Sequence, residues 1–374
     1  MSKRASLNRD RIKASMTVWI AIFAMTTFAI GAWPRTASAL GTDDRAYHEQ
    51  DVTVTGAGDF ELRGTLTLPK RAEEDEGAAF IGVLLLPGSG PTDRNGNQPP
   101  HLVTNLLREV AHELARHDVA SLRFDKRAAH VYQHRWPRTT LEELRSFFSW
   151  EHFLEDAAAA FRFLQAHPRT DPDRALIFGH SEGGLIALQI ADRLGGEDRS
   201  PAGLILAGTP GRTMDHLLRE QIPRGLARQL DEEEMERVLK DLDRAIDAVK
   251  EGNAPPTDLS PYLAHLFSPV ALDVIRAYLT VDPLEYARRY DGPALVMNGQ
   301  FDAQVRVDVD LPKLRGALAE REGAKVSAGM IRAASHNFKV VESLDDPGFT
   351  GPVHRAFLEQ MIGWIGEKIG KVTE

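Results

Sequence analysis

The seven residues Phe80–Leu86, FIGVLLL, carry no polar side chain. A strand with one wet face alternates polar and apolar residues, so an unbroken apolar run of this length marks a strand covered on both faces. The signature recurs at Ala202–Ala207 (AGLILA) and, in shorter form, at Ala175–Phe178 and Ala294–Met297. Helical spacing fills the intervals. Leu106, Leu107, Val110, Ala111 and Leu114 fall on one helix face. Val119–Phe124 reads as a strand, Phe153–Ala166 and Gly184–Ala191 as helices, Lys325–Ile331 as a last strand and Phe357–Ile369 as a terminal helix. Buried strands alternating with helices predict an α/β fold, a mostly parallel central sheet with helices on both faces. Two alternating stretches near the start, Val52–Val54 and Phe60–Leu68, predict antiparallel strands.

The alternation breaks between Thr213 and Arg289, a charged and helical stretch. Asp231 followed by Glu234 has the form of a helix cap, and Met235, Val238, Leu239, Leu242, Ile246 and Val249 trace one apolar stripe behind it. Pro255-Pro256 separates this helix from a second helical group, Tyr262–Tyr290. The expected organisation is a core in two parts, 40–212 and 290–374, with residues 213–289 as a helical cap over the strand ends.

Residues 1–39 read as a targeting segment. Lys3, Arg4, Arg9, Arg11 and Lys13 precede a nearly apolar run, Met16–Trp33, and Ala37-Ser38-Ala39 has the small-residue form of a cleavage site. Cleavage would leave Leu40 first. The rival is an uncleaved membrane anchor, since 18 apolar residues just suffice to cross a bilayer. Either reading places the remainder outside the cytoplasm, secreted or periplasmic in the first case. The segment carries six Lys/Arg against one Asp, so its removal would take the net charge from -9 to -14. That balance disfavours nucleic-acid partners. The sequence has no cysteine, which removes disulfides, thiolate catalysis and zinc–thiolate sites together.

The sharpest motif is Gly179-His180-Ser181-Glu182-Gly183, of the form G-x-S-x-G, set between a short buried strand and an apolar helix. A tight turn there lifts the serine hydroxyl above the sheet edge, at a helix N-terminus whose free N–H groups can meet a developing oxyanion. The hydroxyl needs a base, and the base an orienting acid, in the chain order Ser, Asp/Glu, His. Asp302 stands just past the strand Ala294–Met297, with Asp308 and Asp310 as fallback acids. His336 follows the strand Lys325–Ile331, whereas His354 sits in a helical context and reads as a surface residue. The loop Pro87–Asn97 follows an early strand, and by position the N–H of Ser89 joins that of Glu182 as oxyanion donor.

The sequence resembles the α/β-hydrolase superfamily, most closely a bacterial esterase-like branch. The matching pieces are the G-S-G-P-x-D-R-x-G-N loop at Gly88–Asn97, Phe124-Asp125-Lys126-Arg127, the G-H-S-E-G-G elbow at Gly179–Gly184, Asn298–Val305 and Ser335–Phe338. The resemblance runs from about Asp51 to Ile369 and implies carboxylesterases or serine aminopeptidase-like hydrolases as relatives. One departure lies after Asp-Lys-Arg, where the branch has glycine and this chain has Ala128-Ala129-His130. The stretch from there to Trp150, with His130, His134 and Trp136, is either a pocket wall or a variable surface loop.

These features point to a serine hydrolase of carboxylic esters, with Ser181 as nucleophile, His336 as base and Asp302 as its acid, needing no metal or organic cofactor. The partner expected is a small-molecule ester, with a membrane involved only if the N-terminal segment stays on. A peptidase or amidase of the same fold and a non-catalytic binding protein are the rival readings. Within the insertion, Leu263, Leu266 and Phe267 are the candidates for an acyl pocket, and the acidic helix Asp231–Lys250 is expected to face water.

Overall fold

A computed structural model describes residues 47–370 except Asp198 and His265. The expected targeting segment, 1–39, lies outside the described residues. Eight strands form one sheet: β1 (Tyr47–Thr55), β2 (Glu61–Pro69), β3 (Phe80–Leu86), β4 (Val119–Phe124), β5 (Thr170–His180), β6 (Gly203–Ala207), β7 (Ala294–Gly299) and β8 (Val326–Ile331). Their order is β1-β2-β4-β3-β5-β6-β7-β8. The first two strands join antiparallel, and every pairing from β4 to β8 is parallel.

The apolar run at β3 has the environment its composition demands. Phe80, Leu84 and Leu86 enter one core and Ile81, Val83 and Leu85 the other, because successive side chains of a strand leave opposite faces. Strand β5 divides the same way, Ala175 and Ile177 against Leu176 and Phe178. One face is covered by α1 (Leu106–Arg116) and the terminal helix. The other holds α3 (Trp150–Ala166) and α4 (Glu182–Gly195), with α2 (Leu141–Phe147) just before α3 in the chain. Strand β5 begins at Thr170, five residues ahead of its apolar part. The pairing with β3 shifts register between Phe80 and Gly82, and this irregularity takes up the polar stretch Asp171–Arg174. Helix α3 likewise starts early, at Trp150, where the Ser149 hydroxyl accepts the His152 N–H.

The insertion is helical as expected: α5 (Met214–Leu226), α6 (Glu232–Lys250), α7 (Pro261–Ala264), α8 (Leu272–Thr280) and α9 (Pro283–Arg289). Asp231 and Glu234 form the reciprocal cap at the start of α6. Helices α5, α6 and α8 pack on one another, and the Tyr278 ring of α8 meets Trp150 edge-on at 5.0 Å. Helix α9 packs instead on α4 and on α10 (Asp310–Leu318), so this end of the 213–289 stretch joins the layer beside the sheet. Helix α11 (Arg355–Lys368) closes the fold.

The segment after Asp-Lys-Arg is tied to the core at a few aromatic side chains, while His134 and its neighbours are exposed. Tyr132, Trp136 and Phe148 are buried, and the Trp136 indole donates to the Arg127 carbonyl at 3.1 Å. Arg127 is itself buried. Its guanidinium grips Asp156 through two bonds of 2.7 and 2.6 Å and donates to the carbonyls of Ala57 and Phe147. A cation taken out of water needs this full set of partners, and removing one leaves an uncompensated charge. Asp156→Ala should therefore destabilise the protein by about 3–5 kcal/mol. Urea unfolding of the variant beside wild type measures this, and a loss below 1 kcal/mol on that scale would contradict the account.

Candidate active site

Strand β5 delivers the chain to Ser181, and α4 leaves from it. Ser181 sits at φ 54° and ψ −118°, a conformation that L-residues rarely adopt. The surroundings hold it there. Its N–H donates to Ala207 at 2.9 Å, so the turn is tied to the end of β6. A Cβ on Gly179 would lie 2.4 Å from the Gly183 carbonyl oxygen, and one on Gly183 would lie 2.4 Å from that of Leu86. Both glycines are thus required by close backbone approach.

Asp302 and His336 come together. His336 Nδ1 lies 2.7 Å from Asp302 Oδ2, with both side chains buried. A carboxylate only accepts, so Nδ1 carries the proton, which makes Nε2 the nitrogen that can act as a base. The other carboxylate oxygen accepts the N–H groups of Gln304 and Val305, each at 2.8 Å. Gly208, one residue beyond the carbonyl that holds Ser181, lies against this pair: a Cβ there would be 3.3 Å from the His336 ring and 3.5 Å from Asp302.

Neither fallback acid reaches the histidine. Asp308 is exposed and paired with Arg306, and Asp310 is buried against Arg212 at 2.8 Å. His354 is half-buried and caps α11, its Nδ1 accepting the Ala356 N–H. Ser89 follows Gly88 in a loop lying on the elbow, where a Cβ on Gly88 would be 3.5 Å from Ser181 Cβ. The Ser89 carbonyl accepts from Gln98 Nε2 at 2.6 Å and from Thr92 Oγ1 at 2.9 Å. Glu182 opens α4, where a helix N–H has no acceptor within the helix. Leu263, Leu266 and Phe267 are almost wholly buried, within the apolar core that runs under the insertion.

Several residues around the site escape a reading by motif. His180 donates through Nε2 to the His336 carbonyl at 3.0 Å, and the two rings lie 4.8 Å apart. Burial, then the neighbouring His336, pushes the His180 imidazole down to about 3, so it stays neutral. On the far side of the loop, Lys339 is buried and meets Glu109 at 2.9 Å, and Glu109 also accepts the Val353 N–H. Arg224 and Gln221 of α5 donate to the carbonyls of Ala303 and Gln304, next to the acid. Lys126 and Glu182 form a buried pair at 2.6 Å. The Asp-Lys-Arg motif was the signal for Lys126; for the others only distance in space, not spacing in sequence, carries the information.

No model of a known protein family matches the chain. Over 180 residues it is 27% identical to Esterase EstD of Thermotoga maritima, a match spanning 48% of this chain and 37% of that esterase. A stretch of 46 residues is 48% identical to the uncharacterized peptidase YtmA of Bacillus subtilis, covering 12% of this chain and 18% of the other. Among solved structures, an esterase of Pyrococcus furiosus superposes with a TM-score of 0.53 at 16% identity, over 90% of this chain and 97% of that one. A puromycin-hydrolyzing peptidase of Mycobacterium tuberculosis gives 0.55 at 17%, over 92% and 45%. A bacterial brefeldin A esterase gives 0.54 at 14%, over 97% and 86%. The fold is that of the α/β-hydrolases, and esterases and peptidases are among its solved neighbours.

The depressed His180 has a consequence for stability. In the unfolded chain its imidazole titrates near 6.5. Below that pH the unfolded state binds a proton that the folded state refuses until about 3, so the fold loses stability as pH falls through this window. His180→Gln removes this contribution. Urea midpoints from pH 7.5 to 4.5 should fall more steeply for wild type than for the variant, and parallel curves would refute the assignment.

Proposed function

We propose that the protein is a serine hydrolase that cleaves carboxylic esters through an acyl-enzyme on Ser181. The observation that carries this reading is the buried His336–Asp302 pair beside a strained serine turn. The Ser181 hydroxyl attacks the ester carbonyl as His336 Nε2 takes its proton. Asp302 holds the imidazole in the tautomer this needs and stabilises the cation that forms. The N–H groups of Ser89 and Glu182 receive the oxyanion of the tetrahedral intermediate. Its collapse breaks the bond to the alcohol, which takes the proton from His336. Water, deprotonated by the same histidine, then attacks the acyl-enzyme; the acid leaves and the proton returns to Ser181.

The similarity to an esterase and the esterases among the solved neighbours support this chemistry. The peptidases among the same relatives support a second reading, in which the same residues cleave an amide. We read the catalytic part as acting outside the cytoplasm, on the strength of the basic, apolar and small-residue order of residues 1–39.

Ser181→Ala should lower turnover by at least about 10³-fold, and Asp302→Asn should leave a folded protein of greatly reduced activity. A fluorophosphonate should label Ser181 in wild type, located by peptide mapping. A panel of p-nitrophenyl esters and aminoacyl anilides separates the two enzymatic readings. Turnover of anilides alone makes it a peptidase, and neither labelling nor turnover makes it a binding protein.

The acyl chain is read as lying beneath the insertion, against Leu263, Leu266 and Phe267. Because these side chains are packed, room for a long acyl group must come from their displacement. Phe267→Ala should raise kcat/KM on octanoate relative to acetate p-nitrophenyl esters. A chain-length profile identical to that of wild type would remove the pocket from these residues.

A further inference from the structure

We propose that Lys126 is the positioning residue of the oxyanion hole, one cation setting the direction of both donor N–H groups. The proposal rests on the esterase reading above and adds to it a residue that never meets the substrate.

Lys126 lies just past the end of β4, its side chain 5% exposed. It lines a narrow cleft together with the apolar side chains of Leu86, Phe124, Phe153 and Ile186. An ammonium in such surroundings must be held, and its two oxygen contacts fall on Glu182 and on Gly88, whose carbonyl shares a peptide bond with the Ser89 N–H. Nζ lies 3.3 Å from the Gly88 carbonyl oxygen and 2.6 Å from Glu182 Oε1. The ring of Phe153 adds a weaker contact, 5.0 Å from Nζ to its centroid.

The first contact acts through the peptide plane. The Gly88 carbonyl and the Ser89 N–H belong to one planar trans peptide, so they point in opposite directions. A cation drawing the Gly88 oxygen towards itself turns the Ser89 N–H away from it. Thr92 Oγ1, also 3.3 Å from the Gly88 oxygen, supports the same orientation. The second contact acts through the side chain of Glu182, whose backbone N–H is the other donor. Glu182 is fully buried, and its Oε2 has no partner among the described residues. Lys126 is therefore its main anchor. A loop and a helix start that are far apart in sequence are indexed to one charge, and fixed donors are what an oxyanion hole requires.

A purely electrostatic role and a positioning role give different double variants. Lys126→Met alone strands the Glu182 carboxylate in the interior and should be strongly destabilising. The double variant Lys126→Met/Glu182→Met removes both charges and should recover the fold, as apolar replacement of buried pairs often does. Its catalysis should not recover, because the hold on the Gly88 carbonyl is still missing. On p-nitrophenyl acetate we expect kcat lower by about 10²-fold, the scale for an oxyanion donor lost or displaced, with KM little changed. A phenylboronic acid, whose adduct on Ser181 places an oxygen in the hole, should bind more weakly by a similar factor. A folded double variant with wild-type kcat and boronate affinity overturns the proposal and leaves the esterase reading intact. Wild type that neither turns over the ester nor takes fluorophosphonate at Ser181 overturns both.

Discussion

Three charged side chains in a row leave the end of β4, and none of them reaches bulk water. Asp125 pairs with Arg94 of the loop after β3 at 2.7 Å, Lys126 with Glu182 of the elbow, and Arg127 with Asp156 of α3. A buried charge without a partner costs several kcal/mol, so each of the three must find its counterpart before the interior can close. The partners come from three separate pieces of chain. Neutralising this one tripeptide thus brings the loop after β3, the Ser181 turn and the helix beside them to a common point. Arg94 shows how far the constraint spreads: beyond its pair with Asp125 it donates to the Gly64 carbonyl and the Thr65 hydroxyl, which locks the loop to β2.

Hydrophobic pattern carried the sheet. Runs such as Phe80–Leu86 and Val119–Phe124 have one stable place, between two layers of helices, and both appear there with the bounds their apolar residues give. Strand β5 and helix α3 extend beyond their apolar cores. Asp171–Arg174 enters the strand through an irregularity in pairing, and Trp150 is drawn into the helix by a serine cap. These are tertiary and capping effects that periodicity does not record. The end of the insertion is similar. The stretch Pro283–Arg289 has the same charged, helical composition as the rest, and only its packing on α4 and α10 assigns it to the layer beside the sheet.

The site divides along the same line. Chain order and loop position brought Asp302 and His336 forward, and the structure places them in contact. The side chains that hold these residues in place were out of reach. His180 stands inside the motif itself, yet nothing in G-x-S-x-G says that its ring will grip the carbonyl of a residue 156 positions away. Lys339 and Glu109 are separated by 230 positions and fasten the far side of the same loop. A motif records what the chemistry demands of a few residue types. The supporting contacts are specific to one packing arrangement.

Helix α5 has two functions to serve at once. It belongs to the helical insertion, and through Gln221 and Arg224 it also holds the carbonyls next to Asp302. Insertion and Asp302 turn are therefore not separable modules. On the function proposed above, a lineage that remodels the insertion to admit a different substrate also disturbs the segment that orients His336. New specificity in this architecture should then come with a temporary loss of catalytic strength, repaired by later substitutions near Gln304. Transplanting the insertion between relatives would fail for the same reason unless the 302–305 turn travelled with it.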